Sequence, residues 1–83
     1  MRIVEYIDWD GTMEELKKWD KEVEKACKET GVKYMGRWGP HNKKYHWAYF
    51  FEAETFEKWM EMGGKLSRDY SKVSHLEMDY FSQ

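Results

Sequence analysis

The sequence predicts one α+β domain of βαββαβ order, and three observations carry that expectation. Short β-rich runs alternate with two segments of helical period, a Gly-Pro loop separates the middle two runs, and the last run alternates apolar with polar residues. At 83 residues a single domain over 1–83 is expected, because chains divide only well beyond about 150 residues.

Residues 2–9 (RIVEYIDW) place Ile3, Val4, Tyr6, Ile7 and Trp9 in the first strand, which Asp10-Gly11 ends. Thr12-Met13-Glu14-Glu15 fits a capping box, in which the Thr hydroxyl and the Glu carboxylate each accept a backbone N–H left over at a helix start. Met13, Leu16, Trp19, Val23, Ala26, Cys27 and Thr30 follow at helical spacing. Gly31 stands where a left-handed cap is wanted, so the first helix spans 13–30. Residues 32–38 (VKYMGRW) and 45–52 (YHWAYFFE) read as the second and third strands, joined as a hairpin by the loop Gly39-Pro40-His41-Asn42-Lys43-Lys44. Thr55 is the expected N-cap of a second helix with Phe56, Trp59 and Met60 on one face. Gly63-Gly64 predicts a break, since each glycine costs about 1 kcal/mol in a helix interior, with a short helical piece over 66–70 beyond it. In the last strand, 74–81 (SHLEMDYF), Leu76, Met78 and Tyr80 point one way, toward a buried face. His75, Glu77 and Asp79 point the other, toward a polar one.

Composition narrows the partners. Aromatic residues make up 18% of the chain, with five Trp and six Tyr, and each ring can bury about 150–250 Å². A domain this small buries only about 60–65% of its unfolded surface, so these rings imply a crowded core or an aromatic face meant for covering. Charge is balanced, 14 Lys plus Arg against 16 Asp plus Glu, which argues against nucleic acid as a partner. On the first helix Glu14–Lys18 and Glu24–Lys28 have the i,i+4 spacing of a solvated face. The single cysteine, Cys27, gives no intrachain disulfide framework and reads as a reduced core thiol. Arg2, Glu5, Asp8 and Asp10 interrupt any apolar signal core at the start, and no apolar run reaches the roughly 18 residues of a membrane span. A soluble cytoplasmic protein without a membrane partner is expected.

The element order is the split βαβ, or ferredoxin-like, pattern: a four-stranded antiparallel sheet with two helices on one face. The other sheet face is open, and the strands offer more apolar groups than two helices can cover. In the third strand Trp47, Tyr49 and Phe51 lie on one side and Ala48 and Phe50 on the other, and the parity facing the helices is left open. An uncovered aromatic face exceeds what a monomer usually tolerates, so a homodimer, sheet against sheet about a twofold axis, is expected. The arrangement resembles the dimeric α+β barrel superfamily, in which two such sheets close face to face. The stretch Gly31-Val32-Lys33-Tyr34-Met35-Gly36-Arg37-Trp38 resembles a family of small prokaryotic domains of unknown function with a Gly-Arg-Trp second strand. Tyr49-Phe50-Phe51-Glu52-Ala53-Glu54 is similar to that family's third strand. The resemblance covers most of 31–81, is loose over 1–30, and departs at 63–73, where this chain is longer.

Polar side chains on strands of a closed barrel need a partner or a purpose. Glu5, Arg37, His46, His75, Glu77 and Asp79 are such groups. Two readings fit Arg37. With Trp38, Trp47, Tyr49 and Glu77 it could bind a small aromatic or anionic ligand between the sheets, a guanidinium gripping a carboxylate through two bonds. It could equally form a structural ion pair with a glutamate in the dimer. His75 and His46 are the candidate proton carriers. The superfamily resemblance implies that a His, Trp or Asn in the barrel handles a proton or oxygen, but no catalytic motif of those enzymes maps onto this chain. No metal-ligand spacing, phosphate loop or nucleophile elbow is present, so no metal and no cofactor are implied. Three functions compete: a dimeric small-molecule-binding protein, a cofactor-independent monooxygenase- or isomerase-like enzyme, and a regulatory oligomerisation module.

Overall fold

The computed structural model describes residues 1–41, 43–66 and 72–82, and of His75 only the backbone. The elements run β1 (Arg2–Trp9), α1 (Met13–Thr30), β2 (Lys33–Trp38), β3 (Trp47–Glu52), α2 (Phe56–Gly64) and β4 (Val73–Phe81). The strands form one antiparallel sheet in the order β2-β3-β1-β4. An α+β fold with this sheet and two helices is compatible with the ferredoxin-like pattern. The part of the expected helical piece that lies over 67–70 falls outside the described residues.

Local chemistry fixes the boundaries. Thr12 and Glu15 form both halves of the capping box, at 3.1 and 3.0 Å. Gly31 takes the left-handed conformation at φ 77°, which glycine adopts without the Cβ clash. The backbone N–H of Val32 then bonds Cys27 O at 3.0 Å, so this residue closes α1 instead of opening β2. Tyr45 and His46 also fall outside their expected strand. The His46 backbone N–H donates to the Asp8 carboxylate at 2.9 Å, and its Nδ1 accepts from the Trp9 N–H at 3.2 Å. Side chains here replace the backbone ladder. Helix α2 ends at Gly64, with both glycines in its last turn.

The parity left open by the sequence resolves toward the helices. In antiparallel register, residues paired across strands share a face. Ile3 pairs with Phe51 and Glu5 with Tyr49, and Ile3, Ile7, Tyr49 and Phe51 all belong to the core with Leu16, Val23, Cys27, Trp59 and Met62. Trp47 packs against that core from the edge. The rings of β3 are therefore sheltered by the chain's own helices, and the need of these three rings for an outside cover, from which the sheet-to-sheet dimer was expected, does not arise. Cys27 is buried, and burial pushes its thiol up to about 11, the state of an inert core residue.

The open face has its own content. Val4, Ala48 and Phe50 lie there, with Met35, Phe81 and Trp38 exposed beside them by 37%, 55% and 61%. A shallow groove of about 530 Å³ runs over Val4, Met35, Phe50 and Phe81, edged by the Arg2–Glu52 ion pair at 3.8 Å. Further along, Tyr6 stacks on Tyr45 at 5.9 Å and Lys43 Nζ lies 5.1 Å from the Tyr6 ring. One half of this face is apolar and the other amphipathic.

A bulge decides which way the Gly-Arg-Trp stretch points. The β2–β3 register shifts between Tyr34 and Arg37, where Gly36 has φ 100°. The extra residue re-aims Arg37 to the helix side and Trp38 to the open side. The Trp38 indole then folds back and donates to Met35 O at 2.9 Å. A Cβ on Gly36 would lie 2.9 Å from Trp38 Nε1, in a backbone conformation side chains resist. Gly36→Ala should lower stability by about 1–3 kcal/mol, whereas Gly31→Ala, with nothing within 4 Å, should cost only about 1 kcal/mol. Urea unfolding of both variants checks this, and an unchanged midpoint for Gly36→Ala would refute the bulge argument.

Candidate functional site

Two polar constellations lie on the helix side of the sheet. The first is a network at the β2 edge. Arg37 Nε donates to Asp20 Oδ2 at 2.8 Å, and the Tyr49 hydroxyl donates to Asp20 Oδ1 at 2.6 Å. The Arg37 guanidinium carbon sits 4.2 Å from the Trp47 ring centroid, a cation–π contact. Burial, then the hydrogen bond to Asp20, raises the Tyr49 phenol strongly, and burial pushes Tyr34 up to about 12. Arg37 and Asp20 are mostly buried, so each is the compensation the other needs, and a lone partner would be left as an unpaired charge.

Of the residues expected to bind a ligand, Arg37, Trp47 and Tyr49 come together in this network. Trp38 and Glu77 lie on the other sheet face, where the Glu77 carboxylate helps to raise the Tyr45 phenol. The ion pair of Arg37 is within the chain, and its partner is an aspartate of α1. Asp20 was not singled out from the sequence, although a signal existed: it follows Trp19 inside the apolar stripe of α1, between Leu16 and Val23. His46 stands at the mouth of β3, its side chain 58% exposed and 3.7 Å from Asp8. Its Nδ1 accepts from Trp9, which places the ring proton of the neutral form on Nε2. The side chain of His75 lies outside the described residues. Among the described residues no three His, Cys, Asp or Glu side chains are placed to hold a metal ion.

The second constellation is a cleft. Helix α2 has nine residues, about 13 Å of axis, while the nine residues of β4 extend about 30 Å. The helix covers one end of the strand, where Tyr80 meets Phe56 at 5.4 Å and Trp59 at 6.2 Å. Its other end keeps a cleft of about 540 Å³, walled by Trp19, Val23, Trp59, Leu76 and Met78. The apolar face expected to be buried on β4 is thus largely open: Leu76 and Tyr80 are 51% and 43% exposed, and Met78 is half-buried.

Glu5 is the acidic group lining this cleft. It lies on β1 between Tyr49 of β3 and Met78 of β4. Burial among these apolar groups pushes its carboxyl up from an ordinary 4.5 to about 7. No hydrogen bond or ion pair is recorded for it among the described residues. The indole Nε1 of Trp59, in the same wall, is buried without a hydrogen-bond partner among the described residues. An unpaired carboxyl in an apolar cleft is the feature that calls for a ligand or ordered water. Sequence reading flagged Glu5 as a strand carboxylate but did not place it in the site, because its surroundings depend on how far α2 reaches.

Fold and cleft together describe a small α+β protein with an apolar pocket between sheet and helices. The chain matches no family model and no curated protein. Among the described residues no helix is long and apolar enough to cross a membrane.

The displaced titration of Glu5 has a consequence for stability. The folded carboxyl holds its proton to about pH 7, the unfolded one only to about 4.5, so the folded chain binds more protons across that window. The contribution of Glu5 to stability is therefore greatest below about pH 4.5 and falls as pH rises to about 7. Glu5→Gln has no proton to lose and should exceed the wild type at about pH 8 by up to about 3 kcal/mol, while matching it at about pH 4. Urea unfolding at both values tests this, and parallel pH profiles would contradict it.

Proposed function

We propose that the chain is a cytoplasmic, homodimeric small-molecule-binding protein whose site is the cleft over Glu5. The cleft carries this reading: its volume of about 540 Å³ falls in the range of small-molecule pockets, and it has their makeup of apolar walls with few polar groups. These walls suit a flat apolar molecule lying against Trp59, Leu76 and Met78. The Arg37 network is not the ligand site in this reading, since it does not line the cleft and its Nε–H is given to Asp20.

A second copy covers the open face. Its apolar half supplies the area, and its charges are self-complementary. Lys33 lies at the β2 edge, and Glu77 and Asp79 lie at the β4 edge. A twofold axis parallel to the strands lays each basic edge over the acidic edge of the copy. A catalytic reading is favoured by the same Glu5. A carboxyl titrating near neutrality in an apolar cleft is suited to moving a proton, as an isomerase requires.

Nile red, a neutral apolar dye, is the probe for the cleft. Its emission should shift to the blue on binding and Trp emission should fall. Leu76→Glu, at a half-exposed wall position, should weaken binding at least about ten-fold. Equal binding by both proteins would refute the site.

Sedimentation at micromolar concentration should give twice the chain mass, and Phe81→Glu, placed in the apolar half of the open face, should give the single mass. A wild type that stays monomeric would overturn the dimer.

A further inference from the structure

We propose that the cleft selects ligands that carry a protonated amine on a flat apolar body, the ammonium pairing with the Glu5 carboxylate. This inference rests on the cleft being a ligand site and names the chemical class it takes. Among the described lining residues there is no Lys, Arg or His. An anionic ligand would therefore bring a second negative charge beside Glu5 with no described lining residue to neutralise it. A neutral ligand would leave the ionised carboxylate unpaired in apolar surroundings, where an uncompensated charge is costly. An ammonium repairs both faults, and between apolar walls the attraction is screened far less than in bulk water. Trp59 in the wall adds an aromatic ring, whose face attracts cations.

The groups around Glu5 leave it free for this role. Across the sheet, β3 presents Tyr49, whose hydroxyl is donated to Asp20, and β4 presents Met78. From the helices, α1 contributes Trp19 and Val23 to the cleft, and α2 contributes Trp59 and Met62. None of these six carries a charge. Arg37, a basic strand residue on the same side of the sheet, is held by Asp20 at 2.8 Å. Glu5 keeps its proton to about pH 7, so the pairing belongs to the ionised form and strengthens as pH rises through neutrality.

The test compares naphthylmethylamine, naphthylmethanol and naphthoate, which share one flat body and differ in the head group. At about pH 8 the amine should bind the wild type at least about ten-fold more tightly than the alcohol, and naphthoate should bind most weakly. The preference should vanish at about pH 5, where Glu5 is protonated, and in Glu5→Gln, which removes a charge from an apolar site and so is expected to fold. Equal binding of amine and alcohol at about pH 8, or a preference that persists in Glu5→Gln, overturns the inference. Those results leave the cleft standing as a site if Nile red and the alcohol still bind. Refusal of all four probes sinks both readings. A change in Trp emission on protein concentration alone, with the probes refused, assigns the cleft to a second copy and likewise overturns the amine.

Discussion

The ring of Tyr49 is 1% exposed beneath the helices, and its hydroxyl reaches Asp20 at 2.6 Å. That single placement fixes the parity of β3. A strand alternates strictly, so turning it by one residue would exchange every inward group for an outward one. With Tyr49 inward, Phe51 joins the core and Phe50 is left on the open side. Glu5, its partner in register, is inward too. The hydrogen bond adds direction to burial. Asp20 can accept from Tyr49 and from Arg37 at once only if β2 delivers Arg37 to the same side, and the bulge at Gly36 does that.

A short helix over a long strand then creates the cleft. Nothing in the core packing demands a carboxyl at position 5, where an apolar residue between Tyr49 and Met78 would bury surface at no desolvation cost. Retaining a titratable group there makes the fold less stable whenever the group ionises. Sites that bind or react commonly carry such a penalty, because a polar group satisfied within the protein would have nothing left to offer a ligand. The Arg37–Asp20–Tyr49 network is the contrasting case. There both carboxylate oxygens of Asp20 accept, one from Arg37 and one from Tyr49, and the effect is to hold β2, β3 and α1 in one arrangement.

Much of the fold was legible. The capping box at Thr12 and the cap at Gly31 each rest on neighbours close in sequence, and each appears at the expected place. The same holds for Thr55 as N-cap of α2, whose hydroxyl accepts from Lys58 N–H at 3.2 Å. The site was less legible. Trp47, Tyr49 and Phe51 look alike from either face of a strand that is apolar on both. The side to which Arg37 points turns on one inserted residue, and a glycine in a strand marks such a bulge without fixing its effect on the residues that follow. The cleft is a difference between two lengths, the reach of α2 and of β4, and neither is a local property. Asp20 was the clearest missed signal, since an acidic residue inside an apolar helix stripe has to find a partner across the core.

The small size of the domain gives the Glu5 carboxylate unusual leverage. Single domains hold their fold by about 5–15 kcal/mol, and at 83 residues this one belongs to the size range with thin cores. An ionised group that removes up to about 3 kcal/mol is a large share of that margin. Two events on opposite faces of the sheet can restore it. A cation in the cleft would neutralise the charge directly, and a copy on the open face would cover Met35, Phe50 and Phe81 without touching it. Both act on β1, whose residues alternate between the two faces, with Glu5 set between Val4 and Tyr6. The central strand is thus where cleft occupancy and self-association would be felt together, and a chain this small has little other structure in which to keep them apart.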